Sequence, residues 1–296
     1  MSLSSKAKAC KTPGHFLKTA GILSSGIAFS SFISNDSEIF ESKKIKKFAL
    51  QLYSLRDDLP KDPKGILRQV AAFGYKQIES YEGKQGMFWG MTAQEFKKYM
   101  KELDINIISS HCNINGDFEK KAADAASIDM KYLICPWIGP QKTLDDYKQF
   151  ADQFNKCGSI CKKYGIRFAY HNHDYTFREQ DGQFPQDILM KETDPKLVDY
   201  EMDIFWVAVA GEDPIAWLKK YPGRFKLSHI KDRHTAGNGK EESCILGEGD
   251  IDYKGIAKIA EEYGIDYHVV EQEEYEGTTP LISAEKNAVY MKQLLS

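Results

Sequence analysis

From Lys46 onward, short apolar runs alternate eight times with amphipathic stretches, and no other feature of the chain limits its fold so strongly. The apolar runs predict strands at Phe48–Leu52, Gln77–Glu79, Asn106–Ser110, Tyr132–Pro136, Arg167–His171, Val198–Asp203, Lys226–His229 and Tyr267–Glu271. Between them, helical spacing predicts Pro63–Phe73, Ala93–Leu103, Leu144–Tyr164, Tyr253–Tyr263 and Ser283–Leu295. Phe73-Gly74-Tyr75, Tyr164-Gly165-Ile166 and Tyr263-Gly264-Ile265 each place a glycine where a helix closes just ahead of a strand. Short strand–helix connections imply a parallel sheet, and eight such units predict an α/β fold, a closed (β/α)8 TIM barrel, over residues 44–296. The alternative is an open doubly wound sheet. That fold usually carries a glycine-rich phosphate loop after its first strand, where this chain reads Gln51-Leu52-Tyr53-Ser54-Leu55-Arg56.

Residues 1–40 have a different character. Lys6, Lys8, Lys11 and Lys18 come before any acidic residue, the first being Asp36, and Ala20 to Ile33 are small or apolar. A basic start followed by an apolar run too short to span a bilayer predicts an export signal, hence a periplasmic or otherwise exported protein that begins between Asp36 and Lys43 once processed. A disordered extension on a cytoplasmic enzyme is the alternative, because no arginine pair and no small-x-small cleavage site stand out. Beyond this stretch nothing predicts a transmembrane segment. Cys10, Cys112, Cys135, Cys157, Cys161 and Cys244 include no CxxC pair, which argues against a structural zinc, and Cys157 and Cys161 are expected to pack as small apolar groups on one helix. A formal charge of −3 provides no basic footprint for nucleic acid and leaves a small molecule as the expected partner, with oligomerisation open.

Function is read from where the costly polar residues fall. Catalytic groups of such a barrel come from the C-terminal ends of its strands. Those ends carry Glu79, His111, His171, His173, Asp203, His229, Lys231 and Glu271, and they hold four of the chain's seven histidines. A lone histidine there would be unremarkable as a hydrogen-bonded structural residue; four with two acids on one rim are harder to explain as packing. Imidazole and carboxylate donors together suit a divalent ion of the Mn²⁺, Zn²⁺, Co²⁺ or Fe²⁺ class rather than Mg²⁺ or Ca²⁺. His171, Asp203, His229 and Glu271 are the expected metal ligands, a set that leaves room for two adjacent substrate oxygens.

At these residues the chain resembles the xylose-isomerase-like superfamily of sugar phosphate isomerases and epimerases. The resemblance covers essentially all of 46–296. Its most specific part is Met202-Asp203-Ile204-Phe205-Trp206 with Gly211-Glu212-Asp213-Pro214, leading to Tyr221-Pro222-Gly223-Arg224 and His229-Ile230-Lys231-Asp232. The opening Phe48 to Arg56, the Leu246-Gly247-Glu248-Gly249 turn and Val270-Glu271 fit the same group. The resemblance implies a metal held by Glu, Asp, His and Glu at the ends of strands five to eight, with the two glutamates also shuttling a proton beside the carbonyl. Asp203, His229 and Glu271 match. Where many relatives read Glu-Asn-His, this chain reads His171-Asn172-His173, and an imidazole bound to metal cannot serve as a carboxylate base.

The expected activity is therefore a metal-dependent sugar isomerase or epimerase that abstracts a proton beside a carbonyl. Glu271 is the expected base, with Lys231 and His111 as acid or orienting groups. Lys231 also admits a purely structural role, paired with Asp232. Glu79, His173 and Glu248 are expected to bind sugar hydroxyls, and Trp137 to stack on a sugar ring, with Trp89 and Trp206 in or near rim segments. The same base beside a β-leaving oxygen gives a lyase or dehydratase acting on oxidised (3-keto) glycosides. A non-catalytic sugar-binding barrel is the reading from another class. A metal-dependent endonuclease would want more His and Glu ligands and a basic surface.

Overall fold

The computed structural model describes residues 47–296. The expected export signal and Cys10 lie outside the described residues. The strands are β1 (Ala49–Gln51), β2 (Gln77–Tyr81), β3 (Asn106–His111), β4 (Tyr132–Cys135), β5 (Arg167–His171), β6 (Val198–Asp203), β7 (Phe225–Ile230), β8 (Asp232–Thr235), β9 (Glu241–Cys244) and β10 (Tyr267–Val270). The helices are α1 (Pro63–Phe73), α2 (Ala93–Glu102), α3 (Phe118–Ser127), α4 (Leu144–Lys163), α5 (Pro185–Glu192), α6 (Ile204–Val209), α7 (Pro214–Lys220), α8 (Tyr253–Glu262) and α9 (Pro280–Leu294). β1 pairs in parallel with both β2 and β10, so β1 to β7 and β10 close into an all-parallel barrel. The open-sheet alternative is excluded.

Local sequence explains most element boundaries. Asp62 accepts from Gly65 N at 2.9 Å to cap α1, and Thr92 and Thr143 open α2 and α4 with reciprocal capping boxes closed by Glu95 and Asp146. Gly74 ends α1 at φ 101°, a left-handed conformation in which a Cβ is strained, so glycine is what the turn needs. α9 begins earlier than the apolar spacing alone predicts, because Thr279 caps it and Pro280 fits its first turn. β1 is shorter than predicted: Leu52 already begins a 3₁₀ turn, whose N-cap is Gln51. The antiparallel hairpin β8–β9 has no counterpart in the sequence reading.

Inside the barrel, Ala49, Ile108, Ile134, Ala169, Leu227 and Val269 form an apolar layer. The larger apolar cluster lies between the sheet and the surrounding helices. Above the inner layer, toward the C-terminal ends of the strands, the interior turns polar and charged. Cys112, Cys135, Cys157, Cys161 and Cys244 are all buried free thiols. No helix among the described residues is long and apolar enough to cross a membrane.

Candidate metal centre and active site

Alternation along β6 aims Asp199, Glu201 and Asp203 into the barrel at three heights, because successive side chains of a strand point to opposite faces. The lowest, Asp199, is neutralised by a two-point pair with Arg167, at 2.6 and 2.7 Å. The upper two acids build two adjoining clusters. His171, Asp203, His229 and Glu271 make the upper one, and Glu79, His111, Glu201 and His229 the lower, with His229 common to both.

In the upper cluster the candidate ligand atoms all lie within 4.8 Å of one another. His229 Nδ1 is 3.1 Å from Glu271 Oε2 and 3.9 Å from Asp203 Oδ2. Asp203 Oδ2 lies 3.3 Å from His171 Nε2 and 3.0 Å from Lys231 Nζ, yet Oδ2 and Nε2 both lack a hydrogen bond although fully shielded from solvent. Asp203 Oδ2 keeps its ion pair with Lys231, but two buried atoms without hydrogen bonds that face one point favour a further partner between them. A divalent ion is such a partner, and the donor set fits one. Asp203 Oδ1 meanwhile accepts from Trp206 N at 3.1 Å and caps α6, which fixes the carboxylate's orientation. Asn172 reinforces this: its Oδ1 accepts from Asp203 N at 3.0 Å and its Nδ2 donates to Asp203 O at 3.2 Å.

The lower cluster is more fully paired, Glu201 Oε1 being its one buried atom without a hydrogen bond. Glu79 Oε1 accepts from Gln51 Nε2 at 2.7 Å and meets His229 Nε2 at 2.8 Å and His111 Nε2 at 3.1 Å, while its Oε2 accepts from Ser109 Oγ at 2.5 Å. Glu201 Oε2 faces the same two imidazoles, at 2.8 Å from His111 Nε2 and 3.2 Å from His229 Nε2. The two rings stack with planes 11° apart. His229 is thereby held by carboxylates through Nε2, which leaves Nδ1 for the upper cluster, the arrangement by which a second carboxylate orients a metal-binding imidazole.

Charge follows from these contacts. Burial alone would lower His229, but Glu201 and Glu271 outweigh it and hold the imidazole well above the usual histidine range. Burial works the same way against His111, and Glu79 and Glu201 overcome it to push the group up to about 9. Burial would raise Glu271, but Lys231 and His229 hold it well below the usual carboxylate range. His173 is pushed down by burial, then by His171 and Lys231, and is neutral. Lys231 is buried and paired with Asp203 and Glu271, each at 3.0 Å, and with Glu273 at 2.7 Å. Its expected pairing with Asp232 is corrected: that carboxylate instead accepts backbone N–H groups of Arg233, Gly247, Gly249 and Ile251.

A cavity of about 860 Å³ opens over the upper cluster, and His111, His171, His173, Trp137 and Glu271 line it. Two expected sugar contacts are corrected by their position. Glu79 is wholly buried beneath the cavity floor, with its oxygens engaged as above. Glu248 is exposed on the turn around Asp232 and is not among the lining residues. Trp89 is buried, its indole donating to Ser80 Oγ at 3.1 Å, and Trp206 lies 5.3 Å from His173 outside the lining. Glu201, Glu273, Asn172 and Tyr53 were missed as site residues. Glu201 was legible in principle, two positions before Asp203 on the same strand face; Glu273 was not, since it follows the strand in an irregular segment.

A closed parallel barrel whose C-terminal end buries a His, Asp and Glu cluster is a TIM barrel with side chains suited to a metal. A family model described as xylose isomerase-like TIM barrel matches residues 67–294, and the chain belongs to that family. Inosose dehydratase of Clostridium perfringens is 30% identical over 165 residues, covering 50% of this chain and 55% of that protein, so the chain spans about half the length of the curated relatives it matches. A sugar phosphate isomerase/epimerase structure from Parabacteroides distasonis is 30% identical, with a TM-score of 0.72 over 83% of this chain and 93% of that one. The zinc-bound IOLI protein, at 18% identity, shares the fold, with a TM-score of 0.68 over 84% of this chain and 98% of its own.

Proposed function

We propose that the chain is a metal-dependent lyase of the dehydratase type, acting on a keto-sugar. The observation that carries this reading is the pairing of one ionised carboxylate, Glu271, with one protonated imidazole, His111, on the same cavity. Environments that push two titratable groups apart in this way assign a base and an acid. Interconversion by two opposed glutamates would need a second carboxylate where this chain has His171. A divalent ion of the Mn²⁺, Zn²⁺, Co²⁺ or Fe²⁺ class, held by His171, Asp203, His229 and Glu271, would supply Lewis-acid polarisation of the substrate carbonyl.

The remaining chemistry belongs to the chain's own residues. Glu271 Oε2 is held by Lys231 Nζ at 3.0 Å, and its other oxygen takes the proton from the carbon beside the carbonyl. His111 is anchored through Nε2, so its other ring N–H is the donor to the departing β-oxygen. The C–O bond breaks with its electron pair on that oxygen, and the carbon–carbon double bond forms conjugated to the carbonyl. Neutral His173 is suited to bonding a substrate hydroxyl. The inosose dehydratase relatives favour the same reading, and export, argued from residues 1–40, is part of the proposal.

Incubating the metal-loaded full chain with one-ring keto-sugars in deuterated solvent tests the reaction. Expected is an unsaturated ketone, visible by absorbance and NMR, and His111→Asn is expected to suppress elimination more than proton exchange. Isomerised or epimerised sugar carrying solvent deuterium, with no unsaturated product, overturns the lyase in favour of an isomerase. Sequencing the N-terminus of secreted or periplasmic material tests export.

A further inference from the structure

The cavity wall is rich in carboxylates, and its one cationic lining group is the His111 imidazolium, held from below by Glu79 and Glu201. Its lining carboxylate residues are Glu82, Glu271 and Glu273, and no lysine or arginine lines it. Nearby cations are all engaged. Lys121 binds Glu82 at 2.7 Å, Lys231 is buried among three acids, and Arg56 donates to Glu273 O at 2.6 Å while lying over the Tyr53 ring at 4.9 Å. α3, the helix that follows the Asn113–Asn115 stretch of the wall, starts with Asp117 at its N-cap and Glu119 in its first turn, which opposes anion binding there. Phosphate recognition normally recruits Arg, Lys or a free helix N-terminus, and this wall presents none of them.

The same wall is unusually aromatic at its mouth. Large apolar side chains that stand open to solvent among the described residues are Tyr53, Trp137, Ile282 and Val289, and two of these, Tyr53 (39% exposed) and Trp137 (55% exposed), line the cavity. Both are packed against further rings. Tyr53 meets Tyr81 edge-on at 5.1 Å, and Tyr81 in turn meets Trp89 at 4.8 Å. Trp137 stands edge-on to His173 at 4.5 Å and to Tyr175 at 5.0 Å. Buttressed, exposed rings beside a pocket are ready stacking surfaces, since ordering them costs a ligand little. At about 860 Å³ the cavity also holds more than a single sugar ring.

We propose that this is a two-ring site: the metal end takes one sugar ring, and Tyr53, Tyr81 and Trp137 take the second ring of a neutral, unphosphorylated glycoside. The proposal rests on the keto-sugar reading of the cavity, but equilibrium binding can test it without turnover. The probes are phenyl β-glucoside, methyl β-glucoside, cellobiose and glucose 6-phosphate, titrated into metal-loaded full chain while following tryptophan fluorescence and heat. Expected is binding of phenyl glucoside or cellobiose about tenfold tighter than methyl glucoside, with glucose 6-phosphate no tighter than methyl glucoside. Which of the two wins tells an aryl from a sugar second ring. Trp137→Ala is expected to bring the ratio of two-ring to one-ring affinity close to one while metal content stays stoichiometric. Tighter binding of glucose 6-phosphate, a ratio that survives Trp137→Ala, or no binding of either two-ring probe overturns the proposal. Absence of elimination with a retained two-ring preference instead counts against the lyase alone.

Discussion

The upper and lower clusters use the same residue types and share His229, yet they differ in what their polar atoms lack. In the lower one, Glu79 is engaged through both oxygens, the two imidazoles are clamped between carboxylates, and a single atom, Glu201 Oε1, is buried without a hydrogen bond. In the upper one, His171 Nε2 and Asp203 Oδ2 are buried without a hydrogen bond. Composition alone does not distinguish a ligand set from a scaffold. Two lone pairs without hydrogen bonds that converge on one point, 3.3 Å apart, do, because each such buried atom costs about 1–3 kcal/mol and one ion can relieve both.

The sharpest way to break this contrast is Asp203→Asn. The amide keeps an oxygen to cap α6, so the fold is expected to survive, while a charged ligand is lost. Metal affinity is expected to fall by more than the about 10–100-fold typical of an outer-shell change, with turnover lost alongside. In the wild type, metal at a hundredfold excess over its Kd adds about 2.7 kcal/mol of stability, or roughly 5–10 °C in Tm for a domain of this size. Differential scanning with and without metal reads this directly. A variant that keeps the full metal-dependent shift would remove Asp203 from the ligand set.

Glu201→Gln probes the lower cluster from beneath. It leaves every proposed ligand in place and weakens only the hold on the Nε2 atoms of His229 and His111. Metal affinity is expected to drop by about 10–100-fold, without loss of stoichiometric binding at saturating metal. If affinity were unchanged, the lower cluster would be a structural ring that merely adjoins the site.

These two variants also mark what was legible in the sequence. Eight strand–helix units, the inward acids of β6 and the terminal residues of β5, β7 and β10 could all be read from period and position, because a closed barrel forces strand ends onto one rim. Helices α5, α6 and α7 are short, and β8–β9 belongs to no repeat, so periodicity did not reveal them. The difference in pairing between the two clusters was hidden for another reason. It depends on which oxygen of Glu79 or Asp203 already has a partner: Gln51 and Ser109 reach Glu79 only through the pairing of β2 with β1 and β3, and the Trp206 N–H reaches Asp203 only once α6 starts at that residue.

The contrast has a pH signature. Without metal, His111 and His229 are imidazoliums held by carboxylates, and their folded-state values lie above the unfolded value of about 6.5. Groups raised in this way contribute stability that is fully present below about pH 6.5 and lost as pH rises through the folded value, which for His111 is about 9. The metal-free protein is therefore expected to lose stability between those limits. Metal at His229 Nδ1 requires that nitrogen to be free of its proton, so apparent metal affinity is expected to rise by up to about tenfold per pH unit below the folded value of His229. Titrations at pH 6, 7 and 8 check both slopes. A pH-independent affinity would separate His229 from the metal.

The smallest expected effect belongs to Glu248, a residue that the rim motif made an attractive sugar ligand. Leu246-Gly247-Glu248-Gly249 proves to be a turn that wraps the Asp232 carboxylate, whose oxygens accept from Gly247 N at 2.8 Å and Gly249 N at 3.1 Å. A Cβ at Gly249 would fall 2.3 Å from Asp232 Oδ1 and 2.4 Å from Arg233 O, so the glycine is needed for that close approach. Glu248 itself points into solvent, away from the lining of the cavity. Glu248→Gln is accordingly expected to leave kcat, KM and metal affinity within error of wild type, with stability changed by less than about 0.5 kcal/mol. Gly249→Ala, by contrast, should destabilise the protein through the Asp232 turn. If Glu248→Gln raised KM for a two-ring substrate, the aromatic mouth would have to extend across the β8–β9 hairpin, and the boundary drawn around the cavity would move.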